Sequence, residues 1–209
     1  GQPVKQVAEN TYVATYSAEY TGKRITPTVT VMDGAQTVPK SGNYTVTQKN
    51  NLDAASYDEN NQSKSPYVII KGMNNYEGSS VTIYYTIAPK DITSEASGIT
   101  ITDTQKLINK DDYRLPIVEV KNTNLNNKVL TQDTDYTVTA GEDSKTSGEG
   151  KLATITGIGN YTGSREITYT IGSNLALGGA VELCNPYDNS TLKPTSSGDY
   201  YVPYWGRGD

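Results

Sequence analysis

The chain has 209 residues, a net charge of -5 and a pI near 4.8, with no histidine and one cysteine, Cys184. A Ser-His-Asp triad, a Cys-His pair, a His-bearing zinc site and an intrachain disulfide are therefore excluded, and an acidic balance argues against nucleic acid, whose phosphates need clustered Lys and Arg. Phe is absent while Tyr reaches 17; a ring with a polar tip suits half-buried sheet positions, and Thr-Tyr-Val-Ile richness points to strands. No apolar run approaches the roughly 20 residues that span a membrane as a helix. No basic-then-apolar leader opens the sequence, so a signal peptide is expected to be removed or to lie outside this chain.

In chain order, the first strand signals are "PTVTV" (Pro27–Val31), "NYTVT" (Asn43–Thr47) and "YVIIKG" (Tyr67–Gly72). The turn "NNYEG" follows, then "VTIYYTI" (Val81–Ile87). The last alternates with period two, which predicts Val81, Ile83, Tyr85 and Ile87 on the core face and Thr82, Tyr84 and Thr86 outward. Asn and Gly tolerate positive φ, so "NNYEG" is hairpin chemistry, its Tyr lying across the end of the core. "IAPKDITSEASG" (Ile87–Gly98) reads as a short junction in which Pro89 ends the preceding strand, and the two units should sit in line.

The same phrases then recur in the same order. "PIVEV" (Pro116–Val120), "DYTVT" (Asp135–Thr139), "LATITG" (Leu152–Gly157), "NYTG" (Asn160–Gly163) and "EITYTI" (Glu166–Ile171) match the first set at offsets of about 84 to 92 residues. This is a tandem duplication with loop-length differences. Ile167 and Ile171 are expected inward and Thr168 and Thr170 outward. Units of about 80 to 90 residues, with six or seven short strands and turn signals every 8 to 12 residues, predict small Ig-like β-sandwiches. The reading is all-β, with two tandem Ig-like β-sandwich domains at 1–90 and 91–172.

The residues carry a resemblance. A Tyr-Thr-Gly start, a Pro-x-Val-x-Val strand, a Gly-x-Asp-Tyr-x-Val strand and Gly-x-Gly-Asn-Tyr-x-Gly before a closing strand resemble a tandem Ig-like repeat of secreted and cell-surface proteins of Gram-positive anaerobic bacteria. Tyr20, Gly22, Pro27, Tyr44, Gly72, Tyr76 and Gly78 fill those places in the first unit. Pro116, Asp135, Tyr136, Gly157, Gly159, Asn160, Tyr161 and Gly163 fill them in the second. Asn43 stands where Asp is usual, and "LINKDDYRLP" replaces the second Tyr-Thr-Gly start. The match covers roughly residues 12–172. The resemblance implies a surface-displayed module, extracellular, that serves as stalk, spacer or adhesin segment.

Residues 173–209 differ. "SGDYYV" (Ser197–Val202) echoes "SGNYTV" (Ser41–Val46), so this C-terminal segment is either the start of a third unit or a strand that packs elsewhere. Tyr200, Tyr201, Tyr204 and Trp205 are the densest aromatic cluster and the candidate ligand-binding residues: such rings stack on sugars or anchor protein interfaces. The commoner fate of clustered rings is to cover a core edge. Arg207-Gly208-Asp209 is too short a motif to carry weight. Asp133–Asp135 and Ser56–Asn60 lack the spacing of a Ca²⁺ loop and read as turn carboxylates, so no metal or cofactor is expected. Asp111 and Asp112, adjacent on a strand, would face opposite ways and cannot flank one glycosidic bond. For a Lys-Asn isopeptide crosslink, Lys71 is the only lysine worth checking, and no lysine stands in an evidently buried strand slot.

With no nucleophile paired to a base, the sequence predicts a non-enzymatic structural or adhesive segment. Its partners would be a host or bacterial surface protein or glycan and adjacent Ig-like modules. A carbohydrate-binding module built on the tail aromatics is a second reading. A self-associating filament subunit is a third, with "LALGGAVEL" (Leu175–Leu183) as the donated strand.

Overall fold

Alternating β-branched and tyrosine residues, punctuated by Asn and Gly, give strands almost everywhere. A computed structural model of the chain describes residues 4–110 and 112–172. The first repeat supplies β1 (Val4–Ala8), β2 (Thr11–Glu19), β3 (Val31–Asp33), β4 (Gln36–Val38), β5 (Tyr44–Lys49), β6 (Tyr67–Gly72) and β7 (Ser80–Ala88). β8 (Lys90–Asp91) straddles the expected boundary between repeats. The second supplies β9 (Ile99–Lys110), β10 (Tyr113–Asn122), β11 (Lys128–Val129), β12 (Tyr136–Ala140), β13 (Gly148–Gly157), β14 (Tyr161–Thr162) and β15 (Ser164–Ile171). Among the described residues, helix is confined to short 3₁₀ turns, and the fold is all-β as the sequence predicts. β7 ends one residue before Pro89, which has no N–H to continue a ladder.

The duplication is visible in the ladders. β5-β6-β7 and β12-β13-β15 are the same antiparallel trio, and the β3–β4 pair returns as β10–β11. Side-chain bonds repeat as well. The Tyr85 hydroxyl donates to the Ile25 carbonyl at 3.2 Å, and Tyr169 donates to that of Arg114 at 2.9 Å. The Met73 amide donates to Asn43 O at 2.8 Å, and that of Ile158 to Asp135 O at 2.9 Å. The Tyr76 hydroxyl meets Asp33 at 3.3 Å, and that of Tyr161 meets Asn122 at 3.4 Å. Tyr76 and Tyr161 thus hold equivalent places, as do the buried Tyr44 and Tyr136.

The first strand of each repeat breaks the equivalence. β2 joins the sheet of β7 by parallel pairing, whereas β9 runs antiparallel along the whole of β10. Pro27–Val31, expected to be a strand, is laddered only at Val31. With β2 on the other sheet, no antiparallel neighbour among the described residues lies beside Pro27–Thr30, while the matching Pro116–Glu119 pairs with β9.

Residues up to Ile171 form one compact unit with a continuous apolar cluster running through both repeats. Ile87, Ile171, Tyr85 and Tyr169 are buried within it, Ile167 packs against it from a half-buried position, and Thr168 and Thr170 are exposed. Two expectations on β7 need correction. Ile83 is only half-buried, and Tyr84 on the opposite face is buried. Tyr84 packs on the rings of Tyr57 and Tyr67, with centroids 4.9 and 5.4 Å away, so the outer face of this strand is covered by tyrosines and not by water.

Two outcomes follow from this packing. Ile171→Ala or Ile87→Ala should lower stability by about 2–5 kcal/mol, the usual cost of truncating a fully buried aliphatic side chain; an unchanged urea midpoint would contradict the register. Burial, with Tyr16 nearby, pushes the Tyr85 phenol from 10.0 up to about 12. An acid whose folded pKa is raised contributes stability that is complete below the unfolded value and lost as pH rises through the folded value. Unfolding should therefore set in between pH 10 and about 12, with Tyr85 ionising as the chain opens; a tyrosinate absorbance titration beside circular dichroism checks this.

Candidate functional site

The sequence placed its ligand-binding candidates, Tyr200, Tyr201, Tyr204 and Trp205, in the tail; with Leu175–Leu183 and Arg207–Asp209 they lie outside the described residues. The turn carboxylates order backbone: Asp135 accepts the Thr131 amide at 2.9 Å, and Asp58 that of Asn60 at 2.9 Å. No group of three or more acidic, His or Cys side chains suited to a metal ion occurs among the described residues. Asp112 stands in the β9–β10 turn at φ 68° and not on a strand, contrary to the sequence reading, and Asp111 lies outside the described residues. Lys71 is exposed. A buried lysine does exist, contrary to the sequence reading: Lys90 is 5 % exposed. Its ammonium meets the Glu19 carboxylate at 2.6 Å, an ion pair and not an amide crosslink.

Lys90 belongs to a polar arrangement at the junction between the repeats. The repeated Gly-Asn-Tyr turn builds it. Gly157 lets the turn fold onto its own strand, since a Cβ there would lie 2.7 Å from the Thr162 nitrogen. The turn then offers two carbonyls outward. Lys90 N–H donates to Asn160 O and Ile92 N–H to Thr162 O, each at 2.9 Å, which makes β8 and β14 a short parallel pair. The Asn160 side chain reaches back to the first repeat, accepting the Ala54 amide at 2.6 Å and donating to Asp53 at 3.0 Å. Ala55 is bridged to Ile87, so this acceptor loop is fixed to β7. The Arg165 guanidinium donates to the carbonyls of Ile92 and Ile99 at 2.7 and 3.1 Å.

Apolar contacts complete the joint. Tyr20 and Tyr161 pack edge to face at 5.7 Å, and a Cβ on Gly22 would come within 2.8 Å of Leu125. The Tyr-Thr-Gly start of the first repeat thus serves the second. Burial raises the phenol pKa of Tyr20, assisted by Asp53 and Asp135, and burial likewise raises that of Tyr161. The Thr93 amide, donating to Asp91, holds that carboxyl below its ordinary range. Beside the joint a groove of ≈ 400 Å³ runs between Tyr20, Gly22 and Lys23 on one side and Asn124, Leu125 and Lys128 on the other.

The first repeat carries a counterpart of this acceptor, unfilled by any described residue. A cavity of ≈ 250 Å³ opens at its Tyr76 turn, lined by Val31, Val38, Tyr44, Ile70 and Val81 with Asn43, Ser79 and Ser80 on the polar side. Sequence reasoning assigned Tyr76 and Tyr161 one role as caps and missed that only Tyr161 is covered. The upstream flanks differ in where they pair: Lys90–Ile99 ahead of the second repeat brings Ile92 and Ile99 into its core, whereas Val4–Ala8 ahead of the first pairs with β2. Comparisons with protein-family models, with curated proteins and with solved structures found no match to this chain.

The Lys90–Glu19 pair is testable. Glu19→Ala leaves an ammonium buried without its partner, a costly state; the half-exposed Glu19 tempers that cost. Glu19→Ala should therefore destabilise more than the double variant Glu19→Ala with Lys90→Met, as read from paired denaturation curves. Equal losses would mean the pair does not brace the joint.

Proposed function

We propose that this chain is a structural segment of a bacterial cell-surface protein, in which tandem Ig-like modules form a stiff, non-catalytic stalk or adhesin arm outside the cell. The observation that carries this reading is the junction. Tandem modules joined only by a linker move independently as a rule. Here the apolar core continues across the boundary, and Asn160, Lys90 and Arg165 tie strand, loop and turn together. That is the design of a spacer that holds something at a distance. The resemblance of the repeats to surface-displayed Ig-like modules points the same way, with a host or bacterial surface protein or glycan as the distal partner. No helix among the described residues is long and apolar enough to cross a membrane.

Backbone ¹⁵N relaxation tests the reading. The two repeats should report one common rotational correlation time, and Tyr20→Ala combined with Asn160→Ala should let the two values separate. Independent tumbling of the unaltered repeats would refute a stiff stalk, and turnover of a polysaccharide or peptide by the purified chain would refute a non-catalytic one.

A further inference from the structure

We propose that the groove at the joint, with Lys23 on one wall and Lys128 on the other, is a binding site for an acidic glycan, one whose sugar rings carry a carboxylate. The proposal deepens the adhesin reading and rests on it: the distal partner there is a surface protein or glycan, and here it gains a chemical class and a place.

Charge selects the sign of the ligand. The chain is acidic overall, at -5, yet the lining of this groove holds two lysines and no carboxylate. Elsewhere among the described residues Lys90, Lys121 and Lys145 each meet a glutamate within 2.9 Å. Lys23 and Lys128 are exposed and meet no described carboxylate. The two acids nearest Tyr20 are already engaged. Asp53 accepts from the Asn160 side chain at 3.0 Å, and Asp135 from the Thr131 amide at 2.9 Å. Unpaired cations facing each other across a groove concentrate anions there.

Tyr20 supplies an independent observation. It lines the groove and is 6 % exposed, yet its hydroxyl makes no hydrogen bond to a described residue. The buried Tyr85, Tyr136 and Tyr169 all give theirs to backbone carbonyls. Nor is the Tyr20 hydroxyl sealed off, since Ser144 Oγ is the one fully buried side-chain polar atom without a partner among the described residues. A largely buried hydroxyl that still reaches solvent is a donor held ready for an outside acceptor. The remaining lining suits a sugar. Leu125 and the Tyr20 ring offer apolar surface to the C–H face of a pyranose. No side chain stands between them at Gly22, where a Cβ would come within 2.8 Å of Leu125. Asn124 and Asn126 each pair an amide donor with an acceptor, the combination that adjacent sugar hydroxyls require. The volume of ≈ 400 Å³ falls within the range of small-ligand sites.

Digalacturonate added to the ¹⁵N-labelled full chain tests the proposal, beside its methyl ester, which keeps the rings and hydroxyls and loses the charge. Saturable shifts are expected at the amides of Gly22, Lys23 and residues 124–128, weaker in high salt and weaker with the ester. Lys23→Gln and Lys128→Gln should each weaken binding about two- to fivefold, the worth of one exposed charge pair, with the rest of the spectrum unchanged. Tyr20→Phe, which keeps the ring at the joint, should also weaken it. No saturable shift, shifts confined to other residues, equal binding of the ester, or full affinity in the double lysine variant would overturn the proposal. Inorganic phosphate or a tetraglutamate peptide binding as tightly as the uronate would also overturn it, since the groove would then take any anion or an acidic peptide. Uronate binding does not bear on whether the repeats tumble together, so each result can fail without the other.

Discussion

Two backbone hydrogen bonds, from Lys90 and Ile92 to the carbonyls of Asn160 and Thr162, set the geometry on which the rest of the joint depends. Their net worth is modest, about 0.5–1.5 kcal/mol each. Their importance is positional. By fixing β8 against the turn they deliver Ile92 into the core, bring the Lys90 ammonium to Glu19 and present the Ile92 carbonyl to Arg165. Each of these groups would be expensive to bury alone, the ammonium above all. Together they convert the connection between β7 and β9, residues 89–98, into part of the core.

The tyrosines play a comparable part inside each repeat. No disulfide can pin the sheets, and the long loops leave carbonyls that strands do not satisfy. Tyr85, Tyr136 and Tyr169 bury their rings in the core and donate their hydroxyls to Ile25, Val118 and Arg114. A phenylalanine would bury as much area and leave those carbonyls without that donor. The use of Tyr with no Phe thus fits a core that is thin and lies within reach of backbone on both sides. The raised phenol pKa values are the electrostatic face of the same burial.

Much of this was legible in the sequence. The repeat, the closing strands, the turn glycines and the stop at Pro89 all follow from periodicity and from backbone chemistry at single residues. The Thr168 and Thr170 positions obey period two because one face of β15 meets water. Period two misled at Tyr84 because both faces of β7 are covered, and alternation reports only a difference between faces. The buried Lys90 was not legible either. Its burial depends on Glu19 and on the turn at Asn160, residues far away in sequence. Nothing in the local spelling of "APKDIT" marks its lysine off from the exposed Lys71.

The contrast between the two repeats reduces to where the first strand pairs. β2 carries Tyr16 onto Tyr85, with the rings 5.9 Å apart, and commits its backbone to β7. β9 instead lies along β10, placing Ile101 opposite Val120 and Ile99 opposite Asn122. That pairing closes the edge beside Val120 and buries Asn122, whose amide can then reach the Tyr161 hydroxyl. In the first repeat the same edge, Pro27–Thr30, has no strand beside it among the described residues. Asp33, at the position of Asn122, stays exposed with its Tyr76 partner. A carboxylate suits that wet position, as a neutral amide suits the dry one, because an unpaired buried charge is far costlier than a buried amide. The open cavity at Tyr76 is thus not a packing defect scattered at random. It is the space that remains when the first strand is assigned to the opposite sheet.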